Sequence, residues 1–267
     1  SFAINNVDEN NRMSYQIIVT DVWGLESHSN TVIGSSFNKI VYSNDEDGYK
    51  LKIVDIDGLN IRYVTDVAVD DQNVPKITSD GQKIIFLEPN CIFNGHECLS
   101  SINIYGTDKT RLAQNSNGYD GFDLSPDNSK IVFCGDHDIM IMNVDGTELI
   151  QLTSGQYDAD PYFAPSGEKI VFYRQGNIFT IDIDGNNLYQ LTDNTRHNKH
   201  PQFSPNGENI IFSSDRYSQN GWSNYWLYEI FVMDINGDNQ TRLTFSDSQP
   251  PSNNREFPKY SPNGEKI

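Results

Sequence analysis

Polar side chains able to grip a ligand gather just ahead of three prolines. Asp158 and Asp160 precede Pro161, His197 and His200 precede Pro201, and Arg255 precedes Phe257-Pro258. Carboxylate, imidazole and guanidinium on one rim suit a small polar ligand. His197 and His200, three apart in a loop, could share a metal ion with Asp160. Such residues as readily hydrogen-bond loop backbone, and neither a metal nor a cofactor is expected. A second candidate is the stretch from Asp215 to Trp226, which holds Tyr217, Trp222, Tyr225 and Trp226. Trp222, between Gly221 and Ser223, is the group best suited to a contact hot spot or a sugar-stacking platform. Tyr225 and Trp226 could equally begin a strand, and Asp215-Arg216 could simply tie the loop down.

Other chemistry is excluded or bland. No Gly-x-Ser-x-Gly elbow, phosphate loop or dinucleotide fingerprint occurs, so no nucleophile is in evidence and the chain is not read as an enzyme. Asn44-Asp45-Glu46-Asp47-Gly48 lacks the ligand spacing of an EF-hand and reads as a solvated hairpin tip. Cys91 and Cys98 share one polar stretch and fit a local disulfide, whereas Cys134, after Ile131-Val132-Phe133, reads as a small buried hydrophobe. The formal charge of -18 repels a phosphate backbone, which argues against nucleic acid. No apolar run reaches the length of a membrane helix, so direct membrane insertion is not expected.

The elements that position these groups come from a repeat. Phe163-Ala164-Pro165-Ser166-Gly167-Glu168-Lys169-Ile170-Val171-Phe172 recurs as Phe203 to Phe212, more weakly as Ile77 to Phe86 and Leu124 to Phe133, and partly as Tyr260 to Ile267. Each copy reads as strand, tight turn, strand, because Pro presets the first corner and Gly accepts a positive φ. A second phrase follows, as in Ile141-Met142-Asn143-Val144-Asp145-Gly146 and Ile181-Asp182-Ile183-Asp184-Gly185, with a strand ending in Leu-Thr after it. Four antiparallel strands, a to d, make one unit that cannot bury both faces alone and must pack on its neighbours. The fold class is therefore all-β, a β-propeller of four-stranded antiparallel blades.

The Ser-Pro-Asn-Gly-Glu-Lys-Ile phrase at 261–267 and the Met-Asn-Val-Asp-Gly-Thr phrase at 142–147 resemble the repeats of the TolB propeller family from about Gly34 onward. The resemblance implies six blades and a docking platform in cell-envelope assemblies, often periplasmic. TolB's small α/β domain ahead of the propeller has no counterpart here, so TolB's own role does not carry over. An oxidising compartment would also favour the Cys91–Cys98 bridge. Some TolB-like propellers are lyases acting on pectin fragments with a metal held by several His, but the scattered His residues here match them thinly.

Hairpin glycines at Gly58, Gly106, Gly146, Gly185 and Gly237 mark five blades, and aligning Tyr15–Gly24 with Tyr228–Gly237 makes Gly24 the sixth. The expected domain is a single six-bladed propeller over 1–267. Its sixth blade is split between about 1–33 and 256–267, so that a composite blade from both termini closes the ring and leaves no open edge. Strand a would come from about Phe257 to Tyr260, strands c and d from about Tyr15 to Val32, and strand b from one or both termini. A rival reading stands beside it, since Tyr15–Asp21 with Gly24-Leu25-Glu26-Ser27 also resembles the last strands of a fibronectin type III domain.

In such a blade the a-to-b and c-to-d turns share one side, and here they are tight. The b-to-c and d-to-a connections share the other and hold all the length variation. The expected function is a non-enzymatic, monomeric binding scaffold, periplasmic or secreted. It would take a protein partner or a small polar or carbohydrate ligand on the long-loop face, through Trp222, His200, Asp160, Arg255, His197 and Asp158. The alternatives are the propeller module of a larger enzyme such as a serine peptidase, or a metal-dependent oligosaccharide lyase.

Overall fold

The structure is a computed structural model that describes residues 2–7, 14–20, 26–29, 39–43, 48–55, 59–69, 75–78, 80–89, 91, 97–114, 121–193, 197–216, 228–245, 258–261 and 263–267. Every regular element among them is a strand, and they form antiparallel meanders in chain order. The first sheet holds β1 (Phe2–Val7), β2 (Ser14–Thr20) and β3 (Glu26–Ser29), and the second β4 (Lys39–Tyr42), β5 (Lys50–Asp55) and β6 (Arg62–Ala68). The third holds β7 (Lys76–Ile77), β8 (Lys83–Glu88), β9 (Cys98–Asn103) and β10 (Thr110–Gln114). The fourth holds β11 (Phe122–Leu124), β12 (Lys130–Gly135), β13 (Asp138–Asn143) and β14 (Ile150–Gln151). The fifth holds β15 (Asp158–Phe163), β16 (Lys169–Arg174), β17 (Asn177–Asp182) and β18 (Tyr189–Gln190). The sixth holds β19 (Asn198–Phe203), β20 (Asn209–Ser214), β21 (Glu229–Asp234) and β22 (Thr241–Arg242).

These strands fall where the repeated phrases predict them. Lys130 opposes Asn143, Lys169 opposes Asp182 and Lys39 opposes Asp55, so β4, β5 and β6 are strands b, c and d of their unit. The register of β1 against β2, with Phe2 opposite Val19, shows that the N-terminal segment supplies a strand beside the expected c and d pair. Residues 258–260, where a strand a was predicted, carry no strand among the described residues.

The side-chain alternation explains the packing. Phe86, Phe133, Phe172 and Phe212 occupy one ladder position of successive b strands and are fully buried. The apolar faces of the fourth and fifth sheets meet through Val132, Ile139, Phe163, Phe172 and Ile181. Those of the fifth and sixth meet through Val171, Ile178, Phe203, Phe212 and Met233. A further cluster, with Val41, Leu51, Ile84 and Phe86, joins the second and third sheets. Within these clusters sheets leave water by lying against a neighbour, which is how a repeat too thin to hold its own core becomes stable.

The chain resolves into two compact units, Ser1–Tyr119 with Ser261–Asn263 and Asp120–Tyr260 with Gly264–Ile267. In the second unit the a-to-b turns stack in series. Gly167 lies over the Pro126 ring, Gly207 over Pro165 and Gly264 over Pro205, with room for a Cβ at 3.6, 3.7 and 3.5 Å respectively. The turn at Gly264 therefore meets the sixth sheet in the way the fifth and sixth sheets meet their predecessors.

Candidate functional site

The four site residues that fall among the described ones lie in the second unit, at the starts of β15 and β19. Both strands carry a register shift, between Ala159 and Tyr162 and between Lys199 and Gln202. Inside the shifts, Asp160 and His200 take φ of 52° and 53°, left-handed values that a residue with a Cβ ahead of proline rarely adopts. Gly121, at the matching place ahead of β11, takes 62° at no such cost. The strain at Asp160 and His200 is held by a side-chain contact between them that links the fifth and sixth sheets. His200 Nδ1 is 2.9 Å from Asp160 Oδ2, with the two side chains 15% and 13% exposed. Backbone strain of this kind concentrates at functional positions.

The surroundings of Asp160 are polar yet poorly hydrated. Burial raises the Tyr162 hydroxyl pKa well above the ordinary phenol range, with the Asp160 and Asp123 carboxylates adding to the effect. Burial also raises that of Tyr173, again with Asp160 adding. Asp123 Oδ2 accepts the Phe163 N–H at 2.9 Å, tying the fourth sheet to the fifth. Gln202 holds the corresponding ladder position in β19, opposite Ile211 as Asp123 is opposite Val132. Its Oε1 is buried with no hydrogen-bond partner among the described residues.

Asp158 plays a different part from the one its sequence position suggests. Its carboxylate is fully buried and accepts from Arg174 Nε at 2.6 Å and from the terminal nitrogen at 2.7 Å. The Arg174 guanidinium lies over the Phe172 and Phe179 rings, 5.3 and 5.2 Å from their centroids. The sixth sheet repeats the device with other residues. Arg216 lies over Phe212 and Phe231 and donates to Asn198 Oδ1 at 3.0 Å and to Gln240 Oε1 at 2.8 Å. Asn198 and Asp158 both open a strand a, so Asp158 is a fastening of the fold and Arg216 joins the start of β19 to Gln240 ahead of β22.

His197 is intermediate in character. Asp215, fully buried, accepts the His197 backbone N–H at 2.8 Å and stands 3.2 Å from its Nδ1, while the imidazole remains about half exposed. Trp222 and Arg255 lie outside the described residues, as does Phe257. Cys91 and Cys98 are joined by a disulfide, with Cα atoms 5.8 Å apart, and Cys134 is buried outside it, its Sγ donating to the Asp158 carbonyl at 2.9 Å.

Sequence reasoning missed one pair altogether. His137 and Tyr157 place their rings 4.7 Å apart at a 43° tilt, where the β12–β13 turn meets the approach to β15, and Tyr157 is 67% exposed.

The opposite side, that of the tight turns, has spent its polar groups on itself. Asp127 accepts the Ser125 hydroxyl at 2.6 Å and the Ser129 N–H at 3.0 Å. These bonds hold its carboxyl below the usual carboxylate range, and Asp80 is lowered in the same way by Thr78 and Gln82. Asp145 and Asp184 accept the N–H groups of Thr147 and Asn186 at 3.0 and 2.9 Å. The acidic character of this side is thus explained by turn geometry.

Comparison with known proteins gives the fold. No family model matches the chain, and no curated protein does. Among solved structures it is similar to a putative TolB from Agrobacterium tumefaciens, at 19% identity over 77% of this chain and 76% of that one, with a TM-score of 0.58. It is also similar to an oligogalacturonate lyase in complex with manganese, at 16% identity over 85% and 70%, and to TolB from Acinetobacter baumannii, at 17% identity over 86% and 59%, both with TM-scores of 0.58. The chain has a TolB-like propeller fold.

Proposed function

We propose that this chain is a non-enzymatic binding scaffold, periplasmic or secreted, that takes a protein partner or a small polar or carbohydrate ligand on its long-loop side. The observation that carries the reading is the contrast between the two sides of the second unit. The loop side carries strained backbone, the Asp160–His200 pair and the exposed Tyr157 ring, whereas the carboxylates of the turn side are consumed by their own turns. Asp160, His200 and His197 are the binding residues among those described, and Trp222 and Arg255 join them in the proposal. The TolB-like fold supports a docking role. We also propose that the chain forms one six-bladed ring whose sixth blade combines about 1–33 with 256–267, a reading supported by the series of Pro–Gly stacks that continues to Gly264.

Hydrogen exchange with a captured partner or ligand tests the assignment. Protection should fall on the starts of β15 and β19, and W222A and R255A should each weaken binding by about 1–3 kcal/mol at unchanged melting temperature. Protection confined to the Pro-Asn-Gly turns would refute it. The lyase reading has its own assay: release of unsaturated product from oligogalacturonate with manganese would overturn the non-enzymatic assignment.

A further inference from the structure

The repeats serve as internal controls, and one of them departs from its neighbour in an informative way. The turn joining β16 to β17 is Gln175-Gly176, with φ of 47° and 87°. The matching turn between β12 and β13 is Asp136-His137, with φ of 54° and 67°. Both are two-residue hairpin turns requiring positive φ at each corner, where glycine is the unstrained choice for the second. Their backbone tasks are the same, since the His137 carbonyl accepts the Asp158 N–H at 2.8 Å and the Gly176 carbonyl accepts the Asn198 N–H at 2.9 Å. A large ring therefore stands at a left-handed corner where the sister repeat shows that glycine suffices.

That ring meets Tyr157, itself left-handed at φ 53° and 67% exposed, with centroids 4.7 Å apart and planes tilted by 43°. Two left-handed residues thus bring a part-buried His137 ring against a Tyr157 ring that stays in water, a costly arrangement for so exposed a tyrosine. Exposed Asp136 and Gln156, each adjacent in sequence to one of the rings, flank the pair with hydrogen-bonding groups. The exposed Tyr157 ring, set against His137 and with polar neighbours, matches a pyranose, whose C–H face meets the negative face of an aromatic ring while its hydroxyls seek donors and acceptors. The charge of -18 disfavours anionic glycans.

We infer that His137 and Tyr157 form a stacking subsite for an uncharged sugar ring on the loop side of the fourth and fifth sheets. The inference rests on the loop-side reading above and names its ligand class. Titration calorimetry with cellotetraose, maltotetraose and chitotetraose tests it. At least one of these should bind, Y157A should weaken that binding about tenfold, and H137G, which installs the turn of the sister repeat and preserves the fold, should weaken it severalfold. Binding to none of the three, or binding that Y157A leaves intact, overturns the subsite. Binding lost in H200A and unchanged in Y157A overturns the subsite but leaves the loop-side reading standing. Oligosaccharide protection found only on the tight turns overturns both.

Discussion

Replacing Asp158 distinguishes a fastening from a ligand contact. In D158A the Arg174 guanidinium, 11% exposed and lying over two phenylalanines, loses both carboxylate bonds at once. Removing one partner of a buried pair costs about 3–5 kcal/mol, mostly through the charge left behind. The slight exposure of Arg174 gives it some access to water and favours the lower end. At about 2–4 °C per kcal/mol for a unit of this size, the melting temperature should fall by about 6–20 °C. D158N should cost less, about 1–3 kcal/mol, because Asn198 already performs this task for Arg216 in the sixth sheet. Urea denaturation followed by tryptophan fluorescence measures both variants, and binding by the folded fraction should be unchanged. A loss under about 1 kcal/mol in D158A, well below that range, would refute the argument, as would a D158N variant no better than D158A.

Gly237 and Gly207 separate two costs that share one substitution. A Cβ at Gly207, φ 75°, finds only the Pro165 ring at 3.7 Å, so G207A should cost the left-handed penalty of about 1–2 kcal/mol. At Gly237, φ 91°, the Cβ would stand 2.7 Å from the Leu191 carbonyl oxygen, so G237A should be clearly the worse in denaturation midpoint, and equal midpoints would contradict the packing described. Deleting residues 1–33 should lower the denaturation midpoint of the remaining chain if they complete a blade, whereas an unchanged midpoint would favour the separate fibronectin-like module. Thiol titration of the unfolded, unreduced protein should find Cys134 alone, and three reactive thiols would contradict the Cys91–Cys98 bridge.

Strands were legible in the sequence because period-two alternation and Pro-x-Gly corners are local signals. The Lys169–Phe172 and Lys130–Phe133 phrases needed nothing beyond their own neighbours to specify a b strand. The rim residues were legible only by position. Nothing local in Asp158-Ala159-Asp160 tells which carboxylate is buried against an arginine sixteen residues on and which faces the next sheet. That division comes from the register shift ahead of Pro161, which turns Asp160 away from the ladder. The His137–Tyr157 pair escaped because its members lie in separate connections between strands, although a strict comparison of the two-residue turns would have exposed a histidine where the sister repeat has glycine.

The Pro–Gly stacks bear on how such a chain can grow over evolutionary time. The turns at Pro165 and Pro205 each offer a proline to the turn that follows and rest a glycine on the turn before, so donor and acceptor surfaces differ and the contact is head to tail. A tandem copy of one repeat would carry both halves of that joint ready-made. Duplication can therefore lengthen the array without inventing a new interface, and later divergence is free to act on the side the joint does not use. On that side, one copy of a turn carries glycine and another carries histidine.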